Sequence, residues 1–151
     1  MHSLVRRYIK TAIAFLMGGL AIGGWMITRR ELQGRLPGPY IVSAHTHAIF
    51  VGFVMMMILG VALWLFPRPG KTDTRYRPGL AVAAYWLLTL GTATRVVGEL
   101  LRASSDALWL RVVVLAGGWA QIAGLAMFFY TMWPRIRALG SAARELKGER
   151  F

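Results

Sequence analysis

Long apolar runs alternate with short polar segments along the whole chain. Four of these runs approach or exceed the roughly 20 residues that a helix needs to cross a bilayer core. The pattern therefore predicts an all-α fold, a membrane bundle of four transmembrane helices. We place the helices at Ile9–Ile27, Ala44–Phe66, Leu80–Leu101 and Leu108–Trp133.

The segments between the runs carry residues that end helices. Residues 36–39 read Leu-Pro-Gly-Pro before the second run, and residues 67–70 read Pro-Arg-Pro-Gly after it. Proline cannot continue a helix, and residues 104–106, Ser-Ser-Asp, provide the third turn. Because such short connections make neighbouring helices antiparallel, we expect one four-span domain over residues 1–134 and a basic tail over residues 135–151.

Composition agrees with this picture and narrows the chemistry. Of the 151 residues, 56% are hydrophobic and 16% are charged, whereas soluble domains carry about 25% charged residues. The net charge of +12 does not indicate nucleic-acid binding, because the basic residues lie between apolar runs and can meet anionic membrane lipids. The absence of cysteine excludes disulfides, thiolate metal sites and covalent haem attachment.

The distribution of basic residues predicts the orientation of the helices. Most of the 18 Lys and Arg residues fall in the N-terminal segment, the second connection and the C-terminal tail. Cytoplasmic segments are enriched in these residues, so we expect both termini to be cytoplasmic in a multi-pass protein of the cell membrane. The first run follows Arg6 and Arg7 as a signal peptide would, but it is too long and meets Arg29 and Arg30 instead of a cleavage site.

Two of the three histidines, His45 and His47, stand at the start of the second run. An imidazole in a membrane helix is costly to bury and indicates a functional site. On a helix, residues two apart point roughly 200° away from each other. The two histidines therefore cannot easily chelate one ion. They face opposite sides of the helix, and each could bind a metal together with a ligand from elsewhere. A hydrated interfacial pair without a metal is the alternative.

Several arginines are predicted to lie at the same depth as the histidines. Arg95 falls roughly 10 Å below Arg102 along the third helix, and Arg29, Arg30 and Arg111 add positive charge nearby. Arginine suits bidentate capture of carboxylates, so these residues could hold the two propionates of a haem. An ion pair with the residue four positions on, Glu99, is the alternative for Arg95.

Apolar residues near the histidines could complete a haem pocket. The candidates are Phe50, Phe53, Trp25 and Trp109, which otherwise read as lipid-facing residues. The Met55-Met56-Met57 triplet lies too far along the helix to share an iron with His45, so we assign it to packing. We also assign the small residues Gly19 and Gly23, and Gly117 and Gly118, to close helix contacts.

The stretch from His45 to Pro67 resembles the tenth helix of the catalytic subunit of heme–copper oxidases. That helix carries a His-x-His pair, here His45-Thr46-His47, then a glycine near its end, here Gly60, and a closing aromatic-proline, here Phe66-Pro67. It is also similar to the helix of shorter, single-subunit relatives that ends in Pro-Arg. The resemblance covers residues 45–67 of the chain.

The resemblance implies a haem on each side of the helix, because the two histidines of the family face opposite ways and bind the low-spin and high-spin haems. It also implies an arrangement, since the family's twelve helices form three arcs of four and this chain matches one arc. The family's copper site needs three further histidines that this chain lacks. We therefore do not expect oxygen reduction by this chain alone.

These observations predict a membrane protein that binds b-type haem non-covalently for electron transfer or redox chemistry. We expect His45 and His47 to ligate iron, with copper less favoured although imidazole suits both. Arg95, Arg29, Arg30 and Arg111 would meet the propionates, and a redox partner would dock on the outer side. The alternatives are a non-haem structural or assembly subunit of a respiratory complex, and a haem protein that responds to nitric oxide or another gas.

The opposed histidines also predict a homo-oligomer. One chain cannot give both axial ligands to one iron, and it has no third membrane histidine. In a trimeric ring, His45 of one chain would meet His47 of the next, whereas a twofold dimer would join like residues. We favour the ring, which reproduces the twelve-helix outline of the oxidase subunit.

Overall fold

The computed structural model describes residues 3–66 and 77–136, and this part of the chain is helical with no strand. It contains four long helices: α1 (Ser3–Gln33), α2 (Pro39–Leu65), α3 (Pro78–Arg102) and α4 (Leu108–Met132), the last followed by a short 3₁₀ turn at Trp133–Arg135. Each is long and apolar enough to cross a membrane. The predictions of an all-α fold and of four helices long and apolar enough to cross a membrane are therefore confirmed.

Proline or glycine marks several of the helix ends. Pro39 and Pro78 occupy the first turns of α2 and α3, where a missing N–H costs nothing. Gly34 follows α1 with φ of +63°, and its N–H donates to the carbonyl of Arg30 at 3.1 Å. This is the left-handed cap that favours glycine. Phe66 is extended (φ −69°, ψ 143°) and ends α2, as expected for a residue before proline.

The helices pack as an antiparallel series in which α2 lies between α1 and α3, and α3 makes its most extensive contact with α4. Glycines allow this last contact. A Cβ added at Gly117 would lie 2.8 Å from the backbone nitrogen of Arg95, and one added at Gly124 would lie 3.1 Å from that of Leu88. Small residues let membrane helices approach to backbone contact, and the packing role predicted for Gly117 holds.

The bundle has two ends. Ser3, Leu65, Pro78 and Met132 mark the terminus end, and Gln33, Pro39, Arg102 and Leu108 mark the histidine end. The main core occupies the half toward the terminus end, where Tyr8 stacks edge-on against Tyr85 (5.1 Å between ring centroids) and Phe128 (5.9 Å). Met56 is fully buried in this core, so its assignment to packing is confirmed.

Arg135 closes the terminus end. Its guanidinium donates to the carbonyl oxygens of Leu63 (3.2 Å) and Phe66 (2.9 Å) at the end of α2, where a helix leaves its last carbonyls in need of donors. The side chain is buried, so this residue belongs with the bundle although the sequence placed it in the tail. Residues 137–151, the rest of the predicted tail, lie outside the described residues.

The second helix is not a regular α-helix. Residues Ala48–Met55 form a π-helical segment between two α-helical parts, Pro39–His47 and Met56–Leu65. π-helical segments are rare and occur frequently at functional sites. Here the π-helical segment starts directly after His47, so both histidines lie in the α-helical part. The wider turns of the π-helix change the directions in which the residues after His47 point.

Candidate functional site

His45 and His47 lie within α2 and not at its start. The helix begins at Pro39 instead of Ala44, so His45 lies about 9 Å along the helix axis. His45 faces α1, where its Nδ1 is 2.9 Å from the carbonyl oxygen of Gly19. His47 faces α3, where its Nδ1 lies 3.3 Å from a carboxylate oxygen of Glu99. The two imidazoles thus address different helices, as the helix angle predicts.

The glycines of α1 make room for His45. A Cβ added at Gly23 would lie 2.9 Å from Cε1 and 3.3 Å from Nδ1 of the imidazole, closer than real Cβ contacts normally come. Gly24, the next residue, has open space around it. The pair Gly19 and Gly23, predicted only as a packing motif, therefore also provides the acceptor and the clearance for His45.

His47 is held by its own helix and by α3. Its Nδ1 is 2.8 Å from the carbonyl oxygen of Ser43, and the Ser43 hydroxyl donates to Oε1 of Glu99 at 2.8 Å. Only 3% of the Glu99 side chain is exposed, against 20% for His47. A carboxylate this deep in an apolar helix needs partners. Ser43 supplies a hydrogen bond to Oε1, whereas Oε2, which lies 3.3 Å from Nδ1 of His47, accepts no hydrogen bond within the described residues.

The chain of polar contacts continues into α4. Arg95 donates from Nε to Oε1 of Glu99 (3.1 Å) and from Nη1 to Oε1 of Gln121 (3.3 Å). Gln121 in turn donates to the hydroxyl of Thr92 at 3.1 Å. The Arg95–Glu99 pair considered as an alternative from the sequence is thus formed. We call the whole set the polar network; it comprises Ser43, His47, Thr92, Arg95, Glu99 and Gln121.

Sequence reasoning missed half of this network. Ser43, Thr92 and Gln121 carried no prediction, and Glu99 was considered only as a partner of Arg95. A signal was present for Gln121, because it interrupts an otherwise apolar run and polar side chains inside membrane helices commonly bond across helices. The contact of Glu99 with His47 could not be read from the sequence, because it joins α2 to α3.

The other arginines predicted around the histidines have separate partners. Arg30 pairs with Glu31 at 3.3 Å on the surface. Arg111 donates to Asp106, which also accepts from Arg102 at 2.6 Å. The hydrogen bond from Arg111, followed by that from Arg102, holds the pKa of the Asp106 carboxyl below its usual range. Each of these cations therefore already has an acidic partner within the chain.

Of the four predicted aromatic residues, Trp25, Phe50 and Trp109 are exposed in the single chain, whereas Phe53 is partly buried against the main core. The Arg29 guanidinium sits over the Trp25 ring, 5.1 Å from its centroid. Phe50 and Trp109 expose 64% and 61% of their surface. These two side chains can meet lipid or a neighbouring chain.

The donor set limits what one chain can bind. Within the described residues, no three His, Cys, Asp or Glu side chains cluster as a metal site. Each histidine has Nδ1 beside a carbonyl oxygen, whereas neither Nε2 has a hydrogen-bond partner in the described part. Metal-binding histidines normally engage one ring nitrogen in this way and bind with the other. One chain thus offers a single imidazole on each side of α2.

Comparison with known proteins gives a family match over most of the chain. A family model described as Domain of unknown function (DUF8744) matches residues 3–136. No curated protein and no solved structure matches the chain. The matched range covers all four helices and both histidines.

Proposed function

The chain belongs to the DUF8744 family. We propose that it is a membrane protein that binds b-type haem and transfers electrons, with His45 and His47 as the iron ligands. The observation that carries the proposal is the state of the two imidazoles. Nδ1 of His45 is held by the Gly19 carbonyl and Nδ1 of His47 by the Ser43 carbonyl, which leaves both Nε2 atoms for a metal.

These residues fit a haem on chemical grounds. Neutral imidazole suits iron, and a carbonyl acceptor at Nδ1 fixes the tautomer whose Nε2 carries the lone pair. When bound, the haem supplies a one-electron redox couple. The chain's own part is to fix the ring orientations, through the Gly19 carbonyl for His45 and through the Ser43 carbonyl for His47. Similarity of residues 45–67 to the oxidase helix adds support.

The role proposed for Arg95 changes with the geometry. Its guanidinium is engaged by Glu99 and Gln121, so we propose that it positions Glu99 and thereby His47. Arg30 and Arg111 expose 66% and 51% of their side chains. The N–H groups of these two arginines that do not bond within the chain suit the propionates of a haem held between two adjacent copies.

Assembly follows from the directions of the two imidazoles. Because His45 faces α1 and His47 faces α3, two axial imidazoles for one iron must come from two chains. A trimeric ring joins His45 of one chain to His47 of the next and holds one haem per chain. A twofold dimer joins like histidines and holds one haem per two chains.

An absorption spectrum with haem quantitation tests the proposal. The protein, expressed with haem supplementation and purified, should show a b-type spectrum, and native mass spectrometry should give the haem-to-chain ratio. In a ring, His45→Ala and His47→Ala should each remove a ligand from every iron, whereas in a dimer only one of them should matter. His2→Ala is the matched control. A colourless preparation would reject the haem role, and a haem-loaded monomer would reject both assemblies.

A structural or assembly subunit is the second candidate, and the polar network favours it. Arg95 bonds to both Glu99 and Gln121, and Glu99 accepts from Ser43, so the network can serve to lock α2, α3 and α4 together without a cofactor. The spectrum separates the two functions. Addition of carbon monoxide then tests whether the protein is a gas-responsive haem protein. The gas binds an iron with an open coordination position and shifts the Soret band, whereas it does not readily bind an iron with two histidine ligands.

A further inference from the structure

A cleft opens between the helices at the histidine end. Its apolar part, about 380 Å³, is lined by Ala21, Ile22 and Trp25 of α1, Ile41 of α2 and Leu100 of α3. A second part of about 210 Å³ shares Trp25 and Ile41 with the first and continues to the loop after α1. Because Trp25 and Ile41 line both parts, the two lie next to each other, and together we call them the Trp25 cleft.

The second part of the Trp25 cleft is positively charged. Arg29 and Arg35 line it, and none of its described lining residues is acidic. The turn at Gly34 brings the two arginines together, because the N–H of Arg35 donates to the carbonyl of Arg29 at 3.3 Å. Arg29 is further held over the Trp25 ring. In the described residues neither guanidinium has a carboxylate partner, unlike the neighbouring Arg30.

The dimensions of the Trp25 cleft suit an amphiphile oriented along the membrane normal. Ala21 of the apolar part and Arg29 of the cationic part are about 12 Å apart along the axis of α1. This distance is shorter than the thickness of one leaflet of a bilayer, which is about 15 Å. Arg29 and Arg35 lie near the end of an apolar helix, where lipid headgroups meet the protein. Neither His45 nor His47 is among the described lining residues of the cleft, so the cleft is separate from the proposed iron ligands.

We propose that the Trp25 cleft is a binding site for one anionic phospholipid. Arg29 and Arg35 hold its phosphate, which matches the donors of guanidinium groups. One acyl chain lies in the apolar part, against Trp25, Ile22 and Leu100. Charge complementarity selects the headgroup and the apolar lining holds the tail. The site does not depend on haem binding.

Lipid retention by the purified full-length protein tests this site. Native mass spectrometry after titration with phosphatidylglycerol or phosphatidylcholine of the same chain length measures the bound fraction. Phosphatidylglycerol should be retained preferentially by the wild type. The double variant Arg29→Gln/Arg35→Gln should bind it about 25-fold more weakly, at about fivefold per arginine at a membrane surface.

Two further variants separate this site from general effects. Arg6→Gln/Arg7→Gln removes the same charge from exposed positions at the other end of α1 and should keep the preference. Ala21→Trp fills the apolar part without changing charge and should weaken both lipids. Equal binding of the two lipids, or equal losses in the two double variants, overturns the proposal. So does a double variant that loses haem but keeps lipid, since Arg29 and Arg35 would then serve propionates.

Discussion

The two halves of the bundle are built on different principles. Toward the terminus end, large buried side chains such as Tyr8, Met56 and Phe128 form one continuous core. At the histidine end the apolar cluster is small, formed by Ala44, Ala48 and Val96. Polar contacts join the helices there instead. Apolar packing therefore joins the helices at the terminus end, whereas hydrogen bonds and ion pairs join them at the histidine end.

The largest expected effect is at the core. Phe128→Ala removes a side chain that is 1% exposed, and we expect a loss of about 3 to 5 kcal/mol in unfolding free energy from the cavity it leaves. Phe129→Ala, at an adjacent site that is 50% exposed, is the matched control and should cost little. Thermal unfolding in detergent measures both. Equal losses would show that the core does not dominate stability.

Breaking the polar network should have the next largest effect. Arg95→Leu leaves the buried carboxylate of Glu99 without its cation, and we expect a loss of about 3 kcal/mol. The double variant Arg95→Leu/Glu99→Leu removes both charges and should regain most of that loss. Thermal unfolding of the two variants measures the recovery. No recovery would mean that Glu99 is needed for its contacts with Ser43 and His47, beyond the ion pair.

A smaller effect should follow from crowding His45. Gly23→Ala places a methyl group 2.9 Å from the imidazole, so the ring or the helix must move, at a cost of about 1 to 3 kcal/mol. Gly24→Ala adds the same group into open space and should be neutral. Thermal unfolding compares them. If His45 ligates iron as proposed, only Gly23→Ala should also lower haem retention. Identical behaviour of the variants would contradict the tight contact at His45.

The fold could be predicted from the sequence because apolar length and proline position determine it locally. The predicted ends differ from the structure by several residues. Hydropathy marks the part suited to lipid, whereas α1 continues as a helix through Arg29 and Arg30 to Gln33. The π-helical segment after His47 could not be predicted, because no composition rule distinguishes it from an α-helix.

The candidate site could be predicted only in part, for a related reason. The opposed directions of His45 and His47 follow from 100° of rotation per residue, which is a local property. Their partners are not local, since Gly19 lies on α1 and Glu99 on α3. Arg95 illustrates the limit: its pair with Glu99 four residues on was foreseen, and its bond to Gln121 on α4 was not.

The smallest effect concerns the exposed rim of the histidine end. Asp106 lies in the turn between α3 and α4, and hydrogen bonds from Arg111 and Arg102 lower its pKa from 3.8. A carboxyl with a lowered folded pKa stabilises the protein above its unfolded pKa, and this contribution disappears as the pH falls through the folded value. Asp106→Asn should therefore unfold at a slightly lower temperature than the wild type at neutral pH, and the two unfolding temperatures should converge below pH 3.8.

Because an exposed ion pair is screened, added salt should also narrow the difference in unfolding temperature at neutral pH. Unfolding temperatures of both proteins across a pH series provide the measurement. A difference that grows in acid would mean that Asp106 acts through something other than its charge.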